Sequence, residues 1–174
     1  MAGNKAIDFN TEDFLGENVN LKSYMGNRLL LSFFRDASCP FCNLRLNQLI
    51  KRYDDFQDKG IAVITLFASS RDTILKYAGK QEPPFPIVPD EELKLYKLYK
   101  VEESISAKLR TMAKIKDVMK VMRSEYFNFH SFGTENIVPA DFMVNENLVI
   151  DRAYYGKDFG DHIPIEEILS WDMR

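Results

Sequence analysis

Two apolar segments on either side of a cysteine pair constrain the fold more than any other feature of the chain. Residues 28–34 read RLLLSFF and residues 61–67 read IAVITLF, and near-continuous apolar runs of this length are typical of strands covered on both faces. Between them, apolar residues recur at helical spacing as far as about Asp58. This order predicts a βαβ unit in which residues 39–42, Cys-Pro-Phe-Cys, lie where the first strand meets the helix.

A cysteine pair at the start of a helix is suited to thiol chemistry. The unpaired backbone N–H groups and the positive end of the helix dipole stabilise a thiolate there. Pro40 suits the opening of the helix, because its missing N–H costs nothing at that position, and Phe41 supplies apolar cover beside the sulfurs. We expect Cys39 to be the exposed, attacking thiolate, and Cys42, one turn deeper, to resolve the mixed disulfide from within.

Other interpretations of the cysteine pair can be weighed from the residue counts. A structural zinc site usually needs four ligands, and His130 and His162, the only histidines, do not belong to a zinc-like spacing, so no metal is expected. A long-range structural disulfide is excluded because there is no third cysteine. An interpretation as two unreactive thiols stays open.

Composition limits the partners of the chain. Hydrophobic residues at 45% and charged residues at 28% are typical of a globular domain, and 174 residues are enough to bury a core, so we predict one domain over residues 1–174. The net charge of −3 argues against nucleic acid as an electrostatic partner. No apolar run approaches the ~18–20 residues of a membrane span. The start, MAGNKAIDFN, shows no signal peptide, so we expect a reducing, cytoplasmic compartment in which any disulfide is transient.

The remaining segments complete an α/β pattern. Extended pieces are predicted at 6–9, 19–24 and 85–88, and a hairpin at 140–145 and 148–155. Helices are predicted at 71–80, capped by Ser69 or Ser70, after Asp90, at 103–124 and at about 164–172. The resulting prediction is a central mixed sheet with helices on both faces, in which strands 28–34 and 61–67 are parallel neighbours.

The predicted helix at 103–124 is strongly basic. A solvated basic face on a helix packed by its Ile, Leu and Met side explains the pattern. A lid or partner surface is the alternative, because the segment precedes Pro139 and Met-rich surfaces adapt to varied partners.

Five stretches together resemble a known family. They are Val19-Asn20-Leu21, LSFFRDASCPFC ending at Cys42, FPIVPD at 85–90, PADFMVNENLVI at 139–150 and AYYGKDFGDHIP at 153–164. The chain resembles the thioredoxin fold and, within it, the peroxiredoxin-like branch of the alkyl hydroperoxide reductase/thiol-specific antioxidant superfamily. The resemblance covers nearly the whole chain except the segment at about 103–124 and the aromatic residues that follow it.

The resemblance departs from peroxiredoxins at three positions. With Cys42 as the peroxidatic cysteine, the motif proline falls on Arg35, the motif threonine on Cys39, and the accessory arginine on Pro139. Thioredoxins and glutaredoxins instead have a cysteine at the position of Cys39 and a cis-proline at that of Pro139. The resemblance therefore implies a thioredoxin-type site on a peroxiredoxin relative.

The thioredoxin-type interpretation assigns substrate-binding residues. A cis Val138-Pro139 bond would face the sulfurs and leave the Val138 backbone free to pair with an extended substrate, while Pro40 and Phe41 flank the cysteines. An ordinary trans-proline at the start of a strand is the alternative. The buried carboxylate that assists the resolving thiol in thioredoxin is replaced here by Phe33.

Several neighbours are candidates for tuning the thiolate. Arg35 and Arg45 flank the pair and would lower its pKa, unless they are ion-paired or solvated at the surface. Ser38 would cap the helix and donate to a thiolate, or serve as a cap alone. We interpret His162 as a structural hydrogen-bonding residue, and His130 as packed among aromatic side chains.

The leading functional hypothesis is a thiol–disulfide oxidoreductase in cell redox homeostasis, with no bound cofactor or metal. Its substrate would be a protein disulfide, and its electrons would come from a thioredoxin-like protein or a small thiol. A peroxiredoxin-like thiol peroxidase acting on hydroperoxides is the alternative among enzymes. A non-catalytic, redox-sensing binding module is the alternative from another class, and a homodimer stays open.

Overall fold

A computed structural model describes residues 1–101, 110–114, 118–119, 122–124 and 136–171. The strands are β1 Asn10–Glu12, β2 Asn18–Asn20, β3 Arg28–Phe34, β4 Ile61–Phe67, β5 Ile87–Pro89, β6 Ala140–Val144 and β7 Ile150–Tyr155. The helices are α1 Pro40–Lys51, α2 Tyr53–Asp58, α3 Arg71–Lys76, α4 Lys94–Leu98 and α5 Ile165–Leu169, with 3-10 helices at Leu21–Tyr24 and Ala78–Gln81.

The centre of the fold is a five-stranded mixed sheet in the order β5-β4-β3-β6-β7. Strands β3 and β4 are parallel and paired from Arg28 with Ile61 to Phe34 with Phe67, which confirms the predicted βαβ unit. Strands β6 and β7 form the predicted antiparallel hairpin, and β6 also pairs antiparallel with β3. The strand that leads into the cysteine pair is thus central in the sheet.

Helices pack on both faces of the sheet, as predicted, because β3 is apolar on both sides. Leu30 and Phe34 belong to one buried cluster with side chains of α1, α2, α3 and α5. Leu29, Leu31 and Phe33 belong to the other, with side chains of α4. Burial of this strand on both faces removes most apolar surface of its side chains from water, which is the main stabilising contribution to such a core.

The helix after the cysteines is interrupted where one continuous helix to about Asp58 was predicted. The Arg52 N–H donates to the carbonyls of both Gln48 and Leu49, at 3.2 and 3.3 Å, which tightens the last turn of α1. Helix α2 then begins at Tyr53 and ends at Asp58.

The chain before β3 differs from the prediction. The first strand lies at Asn10–Glu12 rather than at 6–9, and Ala6 instead donates its N–H to the carbonyl of Leu148. Residues 18–20 form β2, and the rest of the predicted extended piece, Leu21–Tyr24, is a 3-10 helix. These short elements carry little periodicity, so tertiary contacts decide their conformation.

The remaining helices are shorter than predicted. Ser70, rather than Ser69, caps α3 by accepting from the N–H of Thr73, and α3 ends at Lys76. The Asp90 carboxylate accepts from the N–H groups of Lys94, Leu95 and Tyr96. Most of the predicted helix at 103–124 lies outside the described residues, but 110–113 are helical. Among the described residues, no helix has the length and apolar character that crossing a bilayer requires.

Candidate active site

The cysteine pair lies at the junction between β3 and α1. Cys39 is the N-cap residue of α1, Pro40 occupies the first helical position, and Cys42 lies in the first turn. The Asn43 side chain donates to the carbonyls of Ala37 and Cys39, at 2.8 and 3.0 Å, and so holds the turn against the helix. Both thiols are free, with no disulfide between them.

Both cysteines are buried, which corrects the expectation of an exposed Cys39. Its exposed fraction is 1% and that of Cys42 is 0%. The cover comes from one cluster of buried side chains that also contains Phe41, Val138 and Phe159. Phe159 comes from a loop more than a hundred residues later in the chain, so local spacing around the cysteines could not show it.

The two thiols have opposite pKa shifts. A hydrogen bond from Cys42 lowers the pKa of Cys39 to about 6 against the opposing effect of burial, and the Arg35 guanidinium lowers it further. Burial raises the pKa of Cys42 well above its ordinary value, and the hydrogen bond and charge of Cys39 raise it further. Cys39 is therefore the more acidic of the two thiols.

Arg35, directly after β3, is the charged side chain that acts on both sulfurs. It is 3% exposed, and its guanidinium carbon lies 4.1 Å from the centroid of the Phe159 ring. Arg45 lies elsewhere. It is 8% exposed, and its Nη2 donates to the carbonyl of Ile163 at 2.7 Å, so it is neither a surface residue nor a partner of the sulfurs.

Ser38 does not cap α1, which corrects its predicted role. The N-cap residue is Cys39, with no side-chain cap hydrogen bond. The Ser38 hydroxyl donates to the Asp36 carboxylate, which also accepts from the Ser38 N–H at 2.8 Å and from the Ser69 hydroxyl at 3.0 Å. The Asp36 carboxylate lies two residues away and accepts a charge-assisted hydrogen bond, so the Ser38 hydroxyl is engaged there and not at the helix start.

Val138 and Pro139 are buried next to the start of β6. Val138 shares the apolar cluster of the cysteines, and the Pro139 carbonyl accepts from the Gly156 N–H at 2.8 Å. No peptide bond between described residues is cis. The predicted cis bond at Val138-Pro139 is therefore wrong, and the alternative of a trans-proline before a strand holds, in line with the ordinary preference of X–Pro bonds.

A buried polar network lies on the face of the sheet that carries α1, and the sequence analysis missed it. Asp141, on β6, accepts from the Ser32 hydroxyl of β3 and from the Ile163 N–H at 2.8 Å. His162 Nδ1 lies 3.0 Å from its Oδ1, which confirms the structural interpretation of His162. Burial would raise the pKa of Asp141, but His162, Arg45 and Ser32 outweigh it and lower the pKa to about 2.

One signal in the sequence marks this network. Ser32 interrupts the apolar run LLLSFF, and Asp141 interrupts PADFMV. An isolated polar residue in a strand that is buried on both faces needs a hydrogen-bond partner.

In the part of the chain that the structure describes, no three His, Cys, Asp or Glu side chains are grouped as metal ligands.

The central mixed sheet with helices on both faces has the thioredoxin fold, and the cysteine pair follows its central strand. Residues 2–153 match the AhpC/TSA family, and the chain belongs to that family. The solved structure of peroxidoxin BcpB from Mycobacterium tuberculosis shares the fold, with a TM-score of 0.68 at 12% identity, over 97% of this chain and 94% of that one.

Two curated relatives carry names of two different activities. The thiol-disulfide oxidoreductase ResA of Halalkalibacterium halodurans is 28% identical over 99 residues, which cover 56% of each chain. Peroxiredoxin Bcp of Escherichia coli is 29% identical over 91 residues, which cover 52% of this chain and 58% of Bcp. The matched region thus spans little more than half the length of either relative.

Proposed function

We propose that the protein is a thiol–disulfide oxidoreductase in which Cys39 attacks and Cys42 resolves. The observation that carries the proposal is the position of the pair at the start of α1, with Cys39 at the N-cap and Cys42 in the first turn. In this position the pKa of Cys39 is lowered to about 6 and that of Cys42 is raised. An attacking thiol needs a high thiolate fraction at ambient pH. A resolving thiol must stay protonated until the mixed disulfide has formed.

The reaction uses the pair in two steps. The Cys39 thiolate attacks one sulfur of a substrate disulfide; that S–S bond breaks, and the departing substrate thiolate takes up a proton. Cys42 then loses its proton and attacks the Cys39 sulfur, which releases the second substrate thiolate, and this too is protonated. The products are two substrate thiols and a Cys39–Cys42 disulfide, so the pair has been oxidised by two electrons.

The same electrostatics favour the second step. The negative charge of Cys39 and its hydrogen bond are among the causes that raise the pKa of Cys42. Both disappear when Cys39 enters a mixed disulfide, because the sulfur is then neutral. Burial, the largest cause, still raises the Cys42 pKa, but Arg35 still lowers it and the two contributions of Cys39 are gone. The Cys42 pKa is therefore lower in the mixed disulfide than in the free pair.

The partners proposed for this reaction follow the chemistry of the pair. Pro40, Phe41, Val138 and Pro139 would contact the substrate, a protein disulfide, and a thioredoxin-like protein or small thiol would reduce the Cys39–Cys42 disulfide. The likeness to ResA supports this activity. We further propose that residues 1–174 act as one domain.

A thiol peroxidase acting on hydroperoxides is the second candidate. The likeness to peroxiredoxin Bcp favours it. The positions where peroxiredoxins carry proline, threonine and arginine hold Arg35, Cys39 and Pro139, so we place it second. A redox-sensing module without turnover is the third.

Two substitutions test the proposal. We expect Cys39→Ser to lower the rate of disulfide reduction at least ~10²-fold, since the attacking thiolate is absent. We expect Cys42→Ser to accumulate a one-to-one mixed disulfide on Cys39, detected by mass spectrometry. Ser23→Ala is the matched control, because its hydroxyl is exposed and donates only locally to Asn20.

The outcomes separate the three candidates. Rapid, saturable peroxide consumption that survives Cys39→Ser but not Cys42→Ser would replace the proposal with the peroxidase. Absence of turnover with both substrate classes, in a protein whose disulfide forms reversibly, would favour the redox-sensing module.

A further inference from the structure

The loop at residues 157–161, Lys-Asp-Phe-Gly-Asp, connects the cysteine site with the segment at 110–114. We propose that Phe159 is a positioning residue: its ring holds the Arg35 guanidinium beside Cys39, and the segment at 110–114 holds the ring in place. The inference rests on the proposed function, because it assigns these residues a role in preparing Cys39 for attack.

The first step of the argument is the contact between the ring and the guanidinium. The Arg35 guanidinium carbon lies 4.1 Å from the Phe159 ring centroid, and the two residues are 3% and 4% exposed. A buried guanidinium attracts the face of an aromatic ring strongly, because water does not compete. The ring carries no net charge, so this contact orients the guanidinium without neutralising it. The contact with the ring therefore does not reduce the effect of the Arg35 charge on the thiolate.

The second step is the attachment of the loop to the segment at 110–114. The Phe159 N–H donates to Thr111 Oγ1 at 3.0 Å. On either side of it in the loop, Asp158 pairs with Lys114 at 2.7 Å, and the Lys157 carbonyl accepts from Arg110 at 3.2 Å. Asp158 is 4% exposed, so this ion pair is partly desolvated. Three consecutive loop residues are thus bonded to one short segment.

The third step is the contact of the same loop with the cysteine motif. A Cβ atom placed on Gly160 would lie 3.4 Å from Cδ1 of Phe41, so the loop backbone packs directly against the residue between the two cysteines. The loop therefore meets the site on two sides, at Arg35 and at Phe41. Phe41 and Phe159 belong to the same buried cluster as Cys39.

The charged and titratable groups near Cys39 that the structure describes come from three elements. Cys42 and Arg35 act directly on its pKa. Asp36, in the preceding turn, accepts from Ser38 and Ser69, and Asp158, in the loop, pairs with Lys114. Loss of the Phe159 ring would let the guanidinium move away from the sulfur, and the proton affinity of Cys39 would rise.

The test measures the thiol itself. The thiolate absorbs near 240 nm, so a pH titration of the reduced protein reports the Cys39 pKa, and Cys39→Ser identifies its step. We expect Phe159→Leu to raise this pKa by about one unit, which lowers the thiolate fraction at pH 6 about fivefold. Phe85→Leu is the matched control, because Phe85 is also 4% exposed and belongs to the same buried cluster; it should leave the pKa unchanged.

Further variants test the route of the effect. In an Arg35→Met background, Phe159→Leu should cause no additional shift, because the ring acts through the guanidinium. Thr111→Val, which removes the acceptor oxygen, should raise the pKa by a smaller amount, and Thr111→Ser should restore it. These two variants also carry the test if Phe159→Leu does not fold.

Two results would overturn the inference. One is an unchanged Cys39 pKa in folded Phe159→Leu. The other is a shift of full size that persists in the Arg35→Met background. Failure of the proposed function would look different: Cys39→Ser would retain disulfide reductase activity, while the titration of the thiol would still respond to Phe159→Leu.

Discussion

At the scale of single residues, Cys39 and Cys42 show how neighbours give two identical side chains opposite pKa shifts. The start of a helix favours a thiolate on either of them. Cys42, however, donates to Cys39, and this hydrogen bond is the largest cause of the low pKa of Cys39. Each cysteine is therefore the main electrostatic neighbour of the other.

The first prediction at this scale concerns the Cys39 pKa in two Cys42 variants. The thiolate should be present above pH 6 and lost as the pH falls through about 6. Cys42→Ala removes the donated hydrogen bond, so the midpoint of the 240 nm titration should move upward by about one unit or more. Cys42→Ser keeps a donor and should stay close to the wild-type midpoint. An unchanged midpoint in Cys42→Ala would contradict the prediction, because the helix start and Arg35 would then be enough to lower the Cys39 pKa.

At the scale of elements, the Asp141 network joins parts of the chain that are distant in sequence. Its members are Ser32 of β3, Asp141 of β6, Arg45 of α1, and His162 and Ile163 just before α5. Strands β3 and β6 pair through backbone hydrogen bonds as well. The network thus joins residues 162–163, just before α5, to the face of the sheet that carries α1.

The prediction at this scale is that Asp141→Asn destabilises the protein. Removing one member of a buried charged network typically costs about 3 kcal/mol or more of the free energy of unfolding. The contribution of the carboxylate is present above its ordinary pKa of 3.8 and is lost as the pH falls through about 2. Urea unfolding at pH 7 should therefore show the full difference, and the difference should narrow in acid.

A surface aspartate provides the control for this measurement. Asp8 pairs with Lys22 at 2.6 Å, but its side chain is 52% exposed. Asp8→Asn should change the free energy of unfolding by less than ~0.5 kcal/mol, since exposed pairs contribute little. Equal effects of the two substitutions would mean that the buried network does not stabilise the fold.

At the scale of the whole molecule, the named relatives do not decide between the two activities, because one is a thiol-disulfide oxidoreductase and the other a peroxiredoxin. The chain belongs to the AhpC/TSA family, whereas Arg35, Cys39 and Pro139 occupy the three positions at which the resemblance would require groups that bind peroxide. Donors arranged in advance for a developing charge are commonly worth ~10²-fold in rate each. Disulfide exchange needs a thiolate and a good leaving group instead.

The prediction at this scale is a slow reaction with peroxide. The reduced protein should react with hydrogen peroxide at about the rate of an ordinary thiol of equal acidity, without saturation. Stopped-flow measurements on the wild type and on Cys39→Ser would check this, with a small thiol corrected for its thiolate fraction as the reference. A rate many orders of magnitude above the reference would contradict the prediction.

The βαβ unit and the position of the cysteine pair could be read from the sequence, because both depend on local patterns. The near-continuous apolar runs indicate the strands at 28–34 and 61–67, and the helix start follows from Pro40 and the spacing after it. The parallel pairing then follows from the helical crossover between them. The segments that lacked such a pattern, at 6–9 and 19–24, were predicted with wrong boundaries.

Tertiary structure decided the environment of the sulfurs and the choice of hydrogen-bond partners. Cys39 lies in a buried apolar cluster that includes Phe159, which is 120 positions further along the chain. Arg45 donates to the carbonyl of Ile163 instead of interacting with the sulfurs. The Ser38 hydroxyl donates to Asp36 and does not cap the start of α1. Such choices depend on which groups the fold brings within about 3–4 Å of each other, and no periodicity along a single chain records those distances.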